Sequence, residues 1–211
     1  PDDEEVYAGG IAGSSRNTKY TNVGNEGSIE CDSGRVGIAA GIKVGGDTND
    51  SIINAYNTGS IYAHTKYTND SKKKLYYDVY AQGLVGGSLT EAKNFYNSGT
   101  ITKKQGNKKA ENGEAFANIR PGENTKTFNY CYWSSDIDPF PPLQKGTNTT
   151  SSFNKSSGKL AKSFSIGNKS RSNITDALNA WINAQKNKKD YVTWSGKGTP
   201  KFTETFGYKA D

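Results

Sequence analysis

The chain of 211 residues has no methionine, one histidine, two cysteines and six prolines. Each scarcity removes a class of chemistry. Zinc sites need several Cys and His at close spacing, and a Ser-His-Asp or Cys-His centre would have to use His64, the one imidazole available. His64 sits in the polar stretch Tyr62-Ala63-His64-Thr65 and reads as a solvated loop residue, so no catalytic, metal or cofactor residue is assigned. Cys31 and Cys131 lie far apart without a Cys-x-x-Cys motif. They are either one disulfide or two separate buried thiols, with the second reading favoured. Gly-x-Gly-x-x-Gly and Walker-type phosphate loops are absent. No run approaches the roughly 18 apolar residues of a membrane-spanning helix, so no transmembrane segment is expected. Arginine is sparse and the net charge is only +6, which argues against a nucleic-acid partner. The lack of Met even at position 1 reads as the mark of a mature or C-terminal piece of an exported protein.

What is present is glycine, tyrosine and asparagine in a repeating order. Apolar residues make up only 32% of the chain, yet aromatics reach 11%; the first figure is low for an ordinary core and the second too high for a disordered chain. A two-part unit resolves the tension. Its first part is Ala8-Gly9-Gly10-Ile11-Ala12-Gly13, returning at Ala39 to Gly45 and at Ala81 to Gly86. Its second part is Asn22-Val23-Gly24-Asn25-Glu26-Gly27-Ser28-Ile29, returning as Asn54-Ala55-Tyr56-Asn57-Thr58-Gly59-Ser60-Ile61 and Asn94-Phe95-Tyr96-Asn97-Ser98-Gly99-Thr100-Ile101. Spacing within the unit is nearly constant, whereas the connection from Gly59 to Gly83 is ten residues longer than its predecessor. Insertions leaving from one side are what a repeat architecture produces. A degenerate fourth copy runs from Ala115 to Ile119 and from Asn129 to Trp133.

Short strands separated by Gly at corners of positive φ, with Asn at the turns, predict a mainly β fold: a right-handed parallel β-helix (β-solenoid) over 1–133. A β-propeller competes, but its Trp-Asp signature is missing. Residues 134–172 read as an irregular connection and 173–211 as a C-terminal cap. In that cap Ser172 or Asn173 starts a helix with the stripe Ile174, Ala177, Leu178, Trp181 and Ile182. Lys186, Lys188 and Lys189 end it, and two short strands follow around Tyr191 to Trp194 and Lys201 to Thr203. The helix is expected to lie over the open end of the solenoid.

The blocks Gly-Gly-Ile-Ala-Gly, Ala-Gly-Ile-Lys-Val-Gly-Gly and Gln-Gly-Leu-Val-Gly-Gly, each followed by an Asn-x-x-Asn-x-Gly-x-Ile segment, resemble the GLUG-motif repeats of bacterial secreted and surface proteins. The similarity extends through Cys131-Tyr132-Trp133 and Phe153 to Leu160 into the Asp176 to Ile182 helix and Tyr191 to Trp194. The resemblance implies a secreted or cell-surface, adhesin-like segment, or one accompanying an IgA-cleaving metalloprotease domain, and it brings no catalytic residues. Ala117 and Asn118 depart from it, as does Val23-Gly24.

If the repeats are scaffold, specificity belongs in the insertion. It carries Tyr62, Tyr67, Tyr76, Tyr77 and Tyr80 with Lys66, Lys72, Lys73 and Lys74. Tyr67, Lys72, Lys73, Lys74, Tyr76 and Tyr77 form the expected partner-contact loop, since tyrosine offers flat amphipathic surface and lysine attracts anions. The expected function is a non-catalytic adhesion or binding module for an anionic glycan or a host or cell-surface protein. Alternatives are a structural spacer or accessory segment of a larger surface protein, and a polysaccharide lyase or glycosidase using Asp136 with Asp138. Asp47, Asn49 and Asp50 are a weaker candidate for calcium and read instead as a turn.

Overall fold

A computed structural model describes residues 4–45, 49–71, 76–87, 89–117, 127–137 and 149–204. Sixteen strands and one α-helix are described, so the protein is mainly β. One sheet has three strands, β1 (Glu5–Gly9), β4 (Val36–Ala40) and β7 (Asp78–Gln82), in the order β1-β4-β7. A second joins β3 (Ile29–Ser33), β6 (Ile61–Thr65), β9 (Ile101–Gln105) and the two-residue β10 (Glu111–Asn112) in the order β10-β9-β6-β3. The third and largest contains β2 (Lys19–Asn25), β5 (Ser51–Asn57), β8 (Glu91–Asn97), β11 (Thr127–Ser134), β12 (Thr149–Phe153), β13 (Lys159–Ile166) and β14 (Lys169–Asn173). Its order is β14-β13-β12-β11-β8-β5-β2. A last ribbon pairs β15 (Trp194–Ser195) with β16 (Lys201–Phe202).

Equivalent strands of successive repeats pair in parallel and in register, Ile29 with Ile61 and Ile61 with Ile101, Tyr56 with Tyr96 and Tyr96 with Tyr132. The single right-handed parallel β-helix expected from the repeat is nevertheless overturned. The strands fall into separate sheets of three, four, seven and two strands, and their pairing is mixed. β10 runs antiparallel to β9, β13 to β12, β14 to β13, and β16 to β15. The repeat dictates only how like strands align. After Trp133 it stops, and the chain reverses on itself while extending the same sheet. Three strands, β12 to β14, therefore form between 149 and 173, where the sequence predicts an irregular connection over 134–172.

Glycine and asparagine exchange the roles expected of them. The left-handed positions in the large sheet are Asn22, Asn54, Asn94 and Tyr130, with φ between 55° and 57° for the last three and 56° at Asn22. Each is the residue skipped in the strand register, and Asn tolerates this region better than other side-chain-bearing residues. Of the repeat glycines Gly45 takes the expected positive φ, 65°, while others serve close approach. A Cβ on Gly59 would stand 1.9 Å from the Gly27 carbonyl oxygen, and one on Gly41 2.3 Å from that of Gly83.

Helix α1 (Ile174–Asn183) starts at Asn173, whose side chain accepts from the amides of Thr175 and Asp176. It ends before the lysines expected to finish it. Gln185 donates to the Trp181 carbonyl oxygen at 2.9 Å, satisfying a terminal acceptor, and Lys188–Asp190 form a separate 3-10 turn. Ile174, Leu178 and Trp181 pack with Tyr56, Tyr96, Tyr132 and Trp194 in one core cluster on a face of the seven-stranded sheet. A second core, containing Ile52, Phe95, Leu84 and Phe116, fills the space between sheets.

Candidate contact surface

Two asparagine ladders connect the repeats. Asn25 donates to Asn57 and Asn57 to Asn97, both at 2.7 Å. The other ladder donates in the opposite sense along the array, Asn94 to Asn54 at 2.8 Å and Asn54 to Asn22 at 2.7 Å. Asn54 also donates to the Val192 carbonyl oxygen and accepts from Trp194 Nε1 at 2.8 Å. Asn22 accepts from the Val192 amide and donates to the Asp190 carbonyl oxygen. Asn22 and Asn54 thus hold the C-terminal segment through their side-chain amides. Where the fourth repeat has Tyr130, the ladder stops, and Asn94 Oδ1 has no partner among the described residues.

On the opposite part of the repeat, the long connection after β6 folds against β9. Asn69 Oδ1 accepts from the Tyr77 amide at 2.6 Å and from Gln105 Nε2 at 3.2 Å. Gln105 also donates to the Tyr77 carbonyl oxygen, and Lys108 donates to Gln105 Oε1 at 2.7 Å. The Tyr67 and Tyr77 rings lie 5.6 Å apart, tilted by 46°, and Lys66 Nζ stands 5.2 Å from the Tyr67 centroid. Tyr76 is 61% exposed beside them. A cleft of about 210 Å³ opens here, lined by Asn69, Tyr77, Tyr80, Lys103, Lys108 and Lys109 together with Asp78 and Glu111. Lys103 is held by Glu114 at 3.0 Å.

Of the expected loop, Tyr67 and Tyr77 come together and Tyr76 is exposed next to them; Lys72, Lys73 and Lys74 lie outside the described residues. Sequence reasoning does not attach Lys103, Lys108 and Lys109 to this loop. Register is what joins them to the tyrosines, because Gln105 pairs with Thr65, the last residue of β6. His64 is in strand β6 and not in a loop; its Nδ1 lies 2.9 Å from Asp32 on paired β3.

The remaining titratable candidates are elsewhere. Asp136 is exposed in the 3-10 turn Ser135–Ile137, while Asp138 and Asp47 lie outside the described residues. Asn49 donates to Asn17 at 3.0 Å. Asp50 is fully buried against Lys43. Burial alone would push its carboxyl up, but hydrogen bonds from Lys43, Ser15 and the Thr18 amide, with the Lys43 charge, hold it below 3.8. No group of three or more His, Cys, Asp or Glu among the described residues is placed to hold a metal. Cys31 and Cys131 are both free and buried. Burial pushes the Cys31 thiol up to about 11 and raises that of Cys131 as well. No helix among the described residues is long and apolar enough to cross a membrane. The chain matches no family model, and neither a curated protein nor a solved structure matches it.

Proposed function

We propose that the protein is a non-catalytic binding module acting outside the bacterial cell, and that its cleft beside Tyr67 and Tyr77 receives an anionic glycan. The observation that carries this reading is the convergence of Tyr77 and Tyr80 with Lys103, Lys108 and Lys109 around one concave surface, with the Tyr67 ring 5.6 Å from that of Tyr77. Aromatic faces stack on sugar rings through their C–H groups, and ammonium groups at the rim select sulfate or carboxylate. The GLUG-like blocks support the extracellular setting. The lyase alternative rested on the β-helix and on Asp136 with Asp138, and it is not carried forward.

Glycan-array binding followed by calorimetry tests the proposal. Sulfated or uronate-rich oligosaccharides should bind, and Tyr77→Ala and the pair Lys108→Gln with Lys109→Gln should each weaken binding roughly tenfold, about 1.4 kcal/mol. Rising salt should weaken it further. Binding that ignores both variants, or an array with no anionic glycan retained, refutes the assignment; retention of an acidic protein in place of a glycan would move the ligand to another class.

A further inference from the structure

Lys43 occupies a position where the other repeats carry small aliphatic residues. Its backbone bridges to Ala12 on one side and Val85 on the other, and Val85 in turn to Ala117. In the array an apolar side chain suffices there, yet this repeat buries an ammonium group completely, in direct contact with a carboxylate that is also completely buried. Ion pairs removed from water return less than their desolvation costs, and an aliphatic pair of similar volume is often the more stable choice. The carboxylate is held from both sides. Thr18 N–H donates to Asp50 Oδ1 at 2.7 Å, and Ser15 Oγ donates to Oδ2, the oxygen that Lys43 Nζ touches, at 2.6 Å.

We propose that Lys43 and Asp50 condense into an intramolecular amide, a covalent link between the first-part block of the second repeat and the residue that precedes strand β5. The resting pair is ionised. Transfer of one proton from Nζ to Oδ2 across their contact gives an amine and a carboxylic acid, a neutral state that dry surroundings favour over the charged one more than water does. The amine lone pair then attacks Asp50 Cγ. Charge developing on Oδ1 meets the Thr18 N–H already aimed at it. The Cγ–Oδ2 bond breaks, and Oδ2 departs with its proton and a second one from nitrogen. The ammonium's three hydrogens are thereby divided, one remaining on the amide nitrogen and two leaving as water. The Ser15 hydroxyl assists the leaving oxygen. No oxidant, nucleotide or other co-reactant enters. Exclusion of water protects the product from the reverse reaction.

The test is a tryptic digest of the purified protein after denaturation. Trypsin cuts after Arg35, Lys43 and Lys66, and an acylated Lys43 is not cut. The expected product is one peptide, 36–66, lighter than its sequence by one water, with fragmentation placing the loss between Lys43 and Asp50. A Lys43→Arg chain, read after denaturation and so independent of its folding, should return 36–43 and 44–66 as two peptides of full mass. Recovery of those two full-mass peptides from the unaltered protein overturns the proposal. So does a water loss that persists in Lys43→Arg, since dehydration would then not involve this side chain.

Discussion

Replacing Asn54 by alanine should detach the C-terminal segment from the large sheet, and the size of the effect follows from its four hydrogen bonds. Asn54 is fully buried. Its loss leaves Trp194 Nε1 and Asn94 Nδ2 without acceptors, both in buried residues, while Asn22 Oδ1 keeps the Val192 amide. Two orphaned buried donors at about 1–3 kcal/mol each, plus about 1 kcal/mol for alanine at positive φ, give about 3–7 kcal/mol. Asn54→Gly loses the same hydrogen bonds but not the backbone conformation, so it should be less damaging than Asn54→Ala by about 1 kcal/mol. Urea unfolding followed by tryptophan fluorescence reads both, because Trp181 and Trp194 lie in the affected cluster. A loss below about 1 kcal/mol for Asn54→Ala would mean that water or rearrangement replaces the ladder. Equal losses for alanine and glycine would show that the left-handed backbone contributes nothing.

Glycines at one repeat position should differ by their place in the array. Gly27→Ala puts its Cβ 3.7 Å from Asn25 Oδ1, an ordinary contact, whereas Gly59→Ala drives it to 1.9 Å from a backbone oxygen; the first should change stability by less than about 0.5 kcal/mol and the second by about 3 kcal/mol or more, as measured by thermal unfolding. Equal effects would contradict the stacked geometry. Neither thiol should react with a maleimide at neutral pH until denaturant is added, since both are buried and held protonated. Because the folded Cys31 pKa lies near 11 against 9.0 for a free thiol, the thiol favours folding fully below about 9, and that contribution falls as pH rises through about 11. A Cys31→Ser variant should lack this alkaline component in unfolding titrations, and persistence of the full slope in the variant would remove it from Cys31.

The alignment of like strands was legible because the Asn-x-x-Asn-x-Gly-x-Ile blocks recur intact, and the same blocks mark the residues that pair. The division of labour inside them was not. Asn and Gly both enter the left-handed region, so a pattern containing each does not say which uses it, and only the carbonyl beside Gly59 reveals crowding as its reason. The helix start at Asn173 was readable from local chemistry, as capping involves a few consecutive residues. The helix's destination was not, because it depends on a row of tyrosines, Tyr56, Tyr96 and Tyr132, whose outward face looks like any amphipathic wall until something covers it. The candidate surface was half visible for a related reason. Tyr67 and Tyr77 stood out in the insertion, but Lys108 and Lys109 join them through strand register, a relation between residues roughly one repeat apart.

Sequence separation along the ladders differs from step to step, 32 residues from Asn25 to Asn57 and 40 from Asn57 to Asn97, yet the hydrogen bonds are equally short. The framework therefore does not register how much chain is spent between β6 and β7. Such indifference makes that connection a place where lineages can exchange whole segments, or an engineer can graft an epitope, with folding and recognition varying independently of one another.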